Sequence, residues 1–223
     1  MLLKGGAELL NHPDVLNFYD ELLQSYSPPT EKKIALFLPC SAKKPYSASK
    51  THSKIKNIIQ RLEFNHQKSI HELIVSEPLG IVPREWEEKY PAAHYDMVLD
   101  SWFPTYNIPK IRKKCGNNII RIRDSSHPSI VPKNKIIKIL SERVARFLIK
   151  TEDNYVHRIG FVRSSHREIL EKASYISNIE IDFVFDTSFV MDVIENKGTF
   201  YWIMNGMRCQ ESLDRLFNKL CTT

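Results

Sequence analysis

"KIALFLPCSAKKPYSASKTH" (Lys33–His52) is the stretch on which the reading of the chain turns. Ile34 to Leu38 is an unbroken apolar run, the mark of a strand covered on both faces. The polar part behind it sets out a thiol (Cys40), two ammonium groups (Lys43, Lys44), a phenol (Tyr46), several hydroxyls and an imidazole (His52). Helical spacing follows through Ile55, Ile58, Ile59 and Leu62, with Ser49 and Thr51 both suited to cap the helix start. A buried strand, a chemically loaded loop and a helix form the half-unit from which α/β folds are built.

The same alternation extends outward from this stretch. "HELIVSE" (residues 71–77), "NNIIRIRD" (117–124), "HRIGFV" (157–162) and "IDFVFD" (181–186) read as further strands. Between and around them, helical periodicity appears in "HPDVLNFYDELLQSY" (12–26), after Pro132 through Ile136, Leu140, Val144 and Leu148, in "SHREILEKASYI" (165–176), and in "CQESLDRLFNKL" (209–220). The segment from Pro78 to Asp100, with three prolines, reads as irregular. The expected architecture is a mostly parallel central sheet with helices on both faces. Residues 1–30 are expected as an N-terminal helical extension, and 31–223 as a single α/β core domain.

In such folds ligands bind outside the carboxyl ends of the strands. Three loops fall there: the one behind Leu38, "SEPLGIVPRE" behind Val75, and "RSSHRE" behind Val162. In the first, Cys40 is a candidate nucleophile whose pKa Lys43, Lys44 and the following helix start are expected to lower. Most lone cysteines instead close a strand as small buried residues. Tyr46 reads as a hydrogen-bond donor, a stacking surface, or a rim aromatic packed on Pro45; His52 reads as an acid, a base, or a capping group. The second loop crowds Glu77, Arg84, Glu85, Tyr90, His94, Tyr95 and Asp96 around Gly80 and reads as a substrate-binding segment. No ligand spacing supports a metal set from Cys40, His52 and His94, and no cofactor is expected.

Composition narrows the classes. The 223 residues carry a formal charge of +6, with 42% hydrophobic and 26% charged residues. Basic groups recur at Lys110, Arg112, Lys113, Lys114, Arg121 and Arg123, which fits a polyanion partner as well as a solvated surface. Only 7 glycines are present, and neither GxGxxG nor GxxxxGK[ST] occurs. The four cysteines are scattered without a CxxC pair, as in a reducing cytosol. The short apolar start does not read as a signal peptide, and no run is long enough to span a bilayer, so a cytoplasmic protein without a membrane partner is expected.

The two loops resemble the core domain of archaeosine synthase, the archaeal tRNA-modifying family related to tRNA-guanine transglycosylases. That family carries the pattern P-C-x3-K-P-Y-x2-S-x2-H. Pro39, Cys40, Lys44, Pro45, Tyr46, Ser49 and His52 fill its fixed positions. "PLGIVPRE" and "YPAAHYD" are similar to the family's second signature. The resemblance implies a three-layer α/β sandwich similar to uracil-DNA glycosylases, with Cys40, Lys44, Tyr46, Ser49 and His52 in the chemistry. It implies transfer of free lysine, by its side-chain amine, to the nitrile of 7-cyano-7-deazaguanine in the D-loop of tRNA, after which a radical-SAM partner cleaves the adduct. Full-length members add a transglycosylase-like domain and a PUA domain, so either a split subunit working with such a chain or a stand-alone relative is expected here. A nucleobase glycosylase and a non-catalytic tRNA-binding module remain as alternatives.

Overall fold

The computed structural model describes residues 2–97 and 133–223. A five-stranded sheet has the order β4-β3-β2-β6-β7, formed by β2 (Ile34–Pro39), β3 (Ile70–Ser76), β4 (Gly80–Pro83), β6 (His157–Gly160) and β7 (Asp182–Phe183). All neighbours are parallel except the β3–β4 edge pair, which runs antiparallel from Leu73↔Pro83 to Ser76↔Gly80. A separate parallel pair joins β1 (Leu3–Gly5) to β5 (Tyr95–Met97).

Every residue of β2 is buried, because each face of the strand meets a helical layer. Ala35 and Phe37 join Leu73, Val75 and Ile81 in one core layer. The helices covering that layer are α1 (Pro13–Gln24), α4 (Lys133–Lys150) and α5 (Ser164–Ser177), through Leu22, Ile137, Leu140, Val144, Ile169 and Leu170. Ile34, Leu36 and Leu38 point the other way. They pack with Ile55, Ile58 and Ile59 of α2 (Lys50–Ile59) and with Leu213, Leu216 and Leu220 of α8 (Gln210–Cys221). The period-2 alternation of one strand thus produces a three-layer α/β sandwich. Three further helices lie among the described residues: α3 (Phe64–Ser69), α6 (Thr187–Lys197) and α7 (Thr199–Asn205). No helix among the described residues is long and apolar enough to cross a membrane.

Two expectations change and one lies beyond the described residues. The segment after Pro78 is not irregular throughout: it holds β4, a 3-10 turn over Arg84–Trp86, and β5. Two prolines hid β4, yet an edge strand tolerates proline where no ladder donor is needed. The strand expected over 181–186 is paired only at Asp182 and Phe183, at the far edge of the sheet. The strand expected over 117–124 lies outside the described residues.

Candidate active site

The chain crosses from β2 to β3 on one side and returns to β6 on the other, so β2 sits at the reversal of strand order. A crevice at the carboxyl ends of these strands is the expected binding position. Cys40 follows β2 directly, and its backbone N–H donates to the Val75 carbonyl at 3.1 Å, fixing it beside the end of β3. Glu77 follows β3 directly. His166 stands in the first turn of α5, behind β6. Just ahead of it Ser164 has φ 51°, a left-handed conformation that non-glycine residues seldom adopt and that concentrates at functional sites.

These three side chains meet. The Cys40 thiol donates to Glu77 Oε2 at 2.9 Å, and His166 Nε2 lies 3.0 Å from Glu77 Oε1. The sulfur, carboxylate and imidazole atoms all fall within 4.8 Å of one another, close enough for one metal ion to engage all three. Burial disfavours charge on Glu77 and His166 alike, but their mutual attraction wins: the carboxyl is held low and the imidazole is raised. The Cys40 thiol moves opposite to expectation. Burial and then the Glu77 charge push its pKa up, and the opposing pull of His166 and Lys44 is smaller. Lys43 is exposed at the loop surface. Cys40 as a residue is half-buried, packed beside Tyr46, Leu79 and Tyr95.

A second tier lies next to this cluster. Lys44 Nζ donates to the Ser41 carbonyl at 2.7 Å and to Tyr95 OH at 3.1 Å, and lies 4.0 and 4.4 Å from the ring centroids of Tyr46 and Tyr95. Burial lowers its pKa. The Tyr46 hydroxyl is 2.8 Å from Ser76 Oγ and 3.0 Å from Tyr95 OH, and Tyr46 is fully buried. A buried ring cannot stack on a base, so Tyr46 is neither a stacking surface nor a rim aromatic. Asp96 is exposed, and its charge acts on Lys44; His94 is exposed beside Tyr90.

Other candidates are occupied elsewhere. Ser49 caps α2 by accepting from the His52 N–H at 3.2 Å. His52 is buried, with Nε2 2.9 Å from the Pro39 carbonyl and Nδ1 2.7 Å from Arg84 Nη2. The carbonyl accepts from Nε2–H, leaving Nδ1 to accept from the guanidinium. Arg84 also pairs with Glu72, and with Glu87 at 2.8 Å, while Glu87 accepts from the Ser47 N–H at 2.9 Å. These contacts staple the two loops together. Glu85 departs from the site altogether: Tyr26 OH donates to it at 2.5 Å and His71 Nε2 lies 3.2 Å away. Because β4 runs antiparallel, Glu85 comes back beside His71, six residues before Glu77 on β3 and so roughly 20 Å from it. Lys110, Arg112, Lys113, Lys114, Arg121 and Arg123 lie outside the described residues.

His166 is the residue that sequence reasoning passed over. Its loop stood at a strand end of the same sheet edge, and that placement was the available signal.

Comparison with known proteins places the chain among relatives. The segment matched in an archaeosine synthase subunit alpha of Thermoplasma acidophilum is 46% identical over 97 residues, 43% of this chain and 18% of that protein. Its counterpart from Methanosarcina acetivorans is 43% identical over 98 residues, 44% of this chain and 15% of that protein. The matched segments thus span less than a fifth of those relatives' own length. The crystal structure of AF0587, a protein of unknown function, superposes with a TM-score of 0.52 at 19% identity, covering 91% of this chain and 49% of that one. At that identity the likeness concerns the α/β fold alone. The family model described as "Domain of unknown function (DUF5591)" matches residues 15–196. By that match the chain belongs to the DUF5591 family, as a domain related to archaeosine synthases.

Proposed function

We propose that this chain works in archaeosine-type tRNA modification, transferring the side-chain amine of free lysine to the nitrile of 7-cyano-7-deazaguanine in the tRNA D-loop. The observation that carries the reading is Cys40, a half-buried residue at the carboxyl end of β2 whose thiol is hydrogen-bonded to Glu77. It sits in a chain 46% identical over 97 residues to an archaeosine synthase subunit alpha.

A nitrile carbon is a weak electrophile, and a thiol is well suited to attack it. The Sγ–C bond forms as one C–N π pair moves to nitrogen, and the thiol proton ends on that nitrogen, with Glu77 as the relay. The product is a thioimidate. The neutral amine of lysine then adds to the same carbon, the S–C bond breaks, and sulfur takes back a proton from the amine. An amidine remains. Lys44, Tyr46, Tyr95 and Ser76 hold the loops in register beside the reacting atoms, Asp96 is the exposed carboxylate next to Lys44, and Arg84 acts by joining the two loops through His52, Glu72 and Glu87. Ser49 and His52 act by positioning: they fix the start of α2 and the end of β2. Residues 31–223 supply the site, and the N-terminal 30 residues pack into the same core through Leu10, Leu22 and Tyr26. A transglycosylase-like, PUA-containing chain delivers tRNA, and a radical-SAM partner consumes the adduct.

The test is incubation with tRNA carrying the nitrile base and isotopically labelled lysine, with and without a candidate transglycosylase-like chain. Label should enter tRNA with a mass gain of one lysine, and Cys40→Ser should abolish it. Full turnover by Cys40→Ser sinks the thioimidate route. Release of free base identifies a glycosylase instead. Tight tRNA binding without label in any arm leaves only a binding module.

A further inference from the structure

We infer that Cys40 Sγ, the Glu77 carboxylate and His166 Nε2 form a site for one divalent cation, zinc by preference. The donors arrive from three adjacent strand ends and are individually fixed. Cys40 is tied to β3 through the Val75 carbonyl. Glu77 is followed by Pro78, whose carbonyl accepts from the buried Arg143 Nη1 at 2.6 Å. His166 sits in a helix whose preceding residue Arg163 donates to the Trp202 and Ile203 carbonyls of α7, both at 2.6 Å.

The spacing suits the ion. Zinc–ligand bonds of about 2.0–2.3 Å place tetrahedral donors about 3.3–3.7 Å apart. The contacts of 2.9 and 3.0 Å reach the two different oxygens of Glu77, and the ligand atoms lie within 4.8 Å of one another, so closing on one ion takes side-chain shifts of up to about one ångström. A thiolate, a carboxylate and a neutral imidazole carry two negative charges against the two positive charges of the ion. Sulfur and imidazole donors select zinc, cobalt or copper over magnesium and calcium. Three protein donors leave one of zinc's four tetrahedral positions to a ligand from outside the described side chains.

Binding stands independently of the proposed reaction; its consequence rests on that reading. A sulfur committed to a metal is not free to attack a nitrile carbon, so zinc occupancy holds lysine transfer silent and a chelator restores it. The same side chains thus serve as nucleophile cluster or metal site, and metal availability selects between them.

The experiment uses the full chain stripped with a chelator and titrated with Co²⁺. A sulfur-to-cobalt charge-transfer band should grow to one equivalent and vanish on adding Zn²⁺. Cys40→Ser should remove the band. Glu77→Gln and His166→Ala should each weaken Zn²⁺ competition at least tenfold, with thermal melts confirming that the variants fold. A Cys115→Ser/Cys221→Ser double variant should keep the band. No band at saturating Co²⁺, a band that survives Cys40→Ser, or unchanged affinity in both other variants overturns the site. In the labelled-lysine assay, transfer that persists undiminished under saturating Zn²⁺ overturns the silencing while leaving the spectroscopic site standing. Absence of transfer in the metal-free protein counts against the proposed reaction alone.

Discussion

His52 shows how a residue can belong to a functional pattern without touching the chemistry. Burial and then the neighbouring Arg84 charge depress its pKa to about 4, and both ring nitrogens are engaged, by the Pro39 carbonyl and by Arg84. The native state therefore holds His52 neutral, while the unfolded chain protonates it near the ordinary value of about 6.5. Between those two values the unfolded state binds the extra proton. Its contribution is thus complete above pH 6.5 and is lost as pH falls toward 4, at about 1.4 kcal/mol per pH unit. His52→Gln should cost about 1–3 kcal/mol at pH 7, from the broken hydrogen bonds. The deficit relative to the parent should then shrink between pH 6.5 and 4, read by urea melts at a series of pH values. A deficit that stays constant with pH rules out a buried neutral imidazole. The sequence placed His52 correctly at the start of a helix, yet it could not show Arg84 arriving from beyond β4 to occupy Nδ1. Cys40 carries the same lesson. Its lysine neighbours were legible; the carboxylate that outweighs them was not.

At the scale of elements, α4 governs the turn that follows Glu77. Arg143 is buried with its guanidinium on two carbonyls, Pro78 at 2.6 Å and Leu10 at 2.5 Å, and burial lowers its pKa. It joins the turn between β3 and β4 to the N-terminal segment. Gly80 closes that turn at φ +86°, and a Cβ there would lie 3.2 Å from Arg143 Cβ. Left-handed geometry and close approach together demand glycine. Gly80→Ala should cost about 1–3 kcal/mol, and Arg143→Met about 2–4 kcal/mol from two unpaired buried carbonyls. Both effects are read as drops in thermal midpoint. A neutral Arg143→Met would show that the clamp carries no stability.

The elements that were legible share one property: each presents a single apolar periodicity. The run of β2 and the long stripe of α4 are examples. By contrast, β4 has the apolar pair Ile81–Val82 between Gly80 and Pro83, and its pairing depends on the turn geometry. The helices α6 and α7 were unread although Asp186 accepts from the Phe189 N–H at 2.8 Å as an N-cap and Gly198 separates the two. Their apolar residues are spread around the helices, so neither stripe stands out.

For the whole molecule, the unbroken apolar run of β2 was enough to predict two covered faces, and the two-loop pattern was enough to suggest one shared site. The union of residues 40, 77 and 166 was not legible, because it depends on β6 joining the opposite side of β2 from β3. Sequence separation of that order is resolved by topology alone. Charge is legible at this scale without coordinates: the formal net charge is +6, and Lys110, Arg112, Lys113 and Lys114 form its densest run. If this run contacts tRNA phosphates, each contact releases condensed counterions, and log K falls with log salt by about 0.7–0.9 per phosphate neutralised. Replacing all four with glutamine should therefore make the salt slope shallower by about 3, with the loss of affinity largest at low salt and nearly gone at high salt. Filter binding of unmodified tRNA between 50 and 300 mM salt measures both quantities. An unchanged slope with weakened affinity would place the phosphate contacts on other basic residues and leave this run a solvated surface.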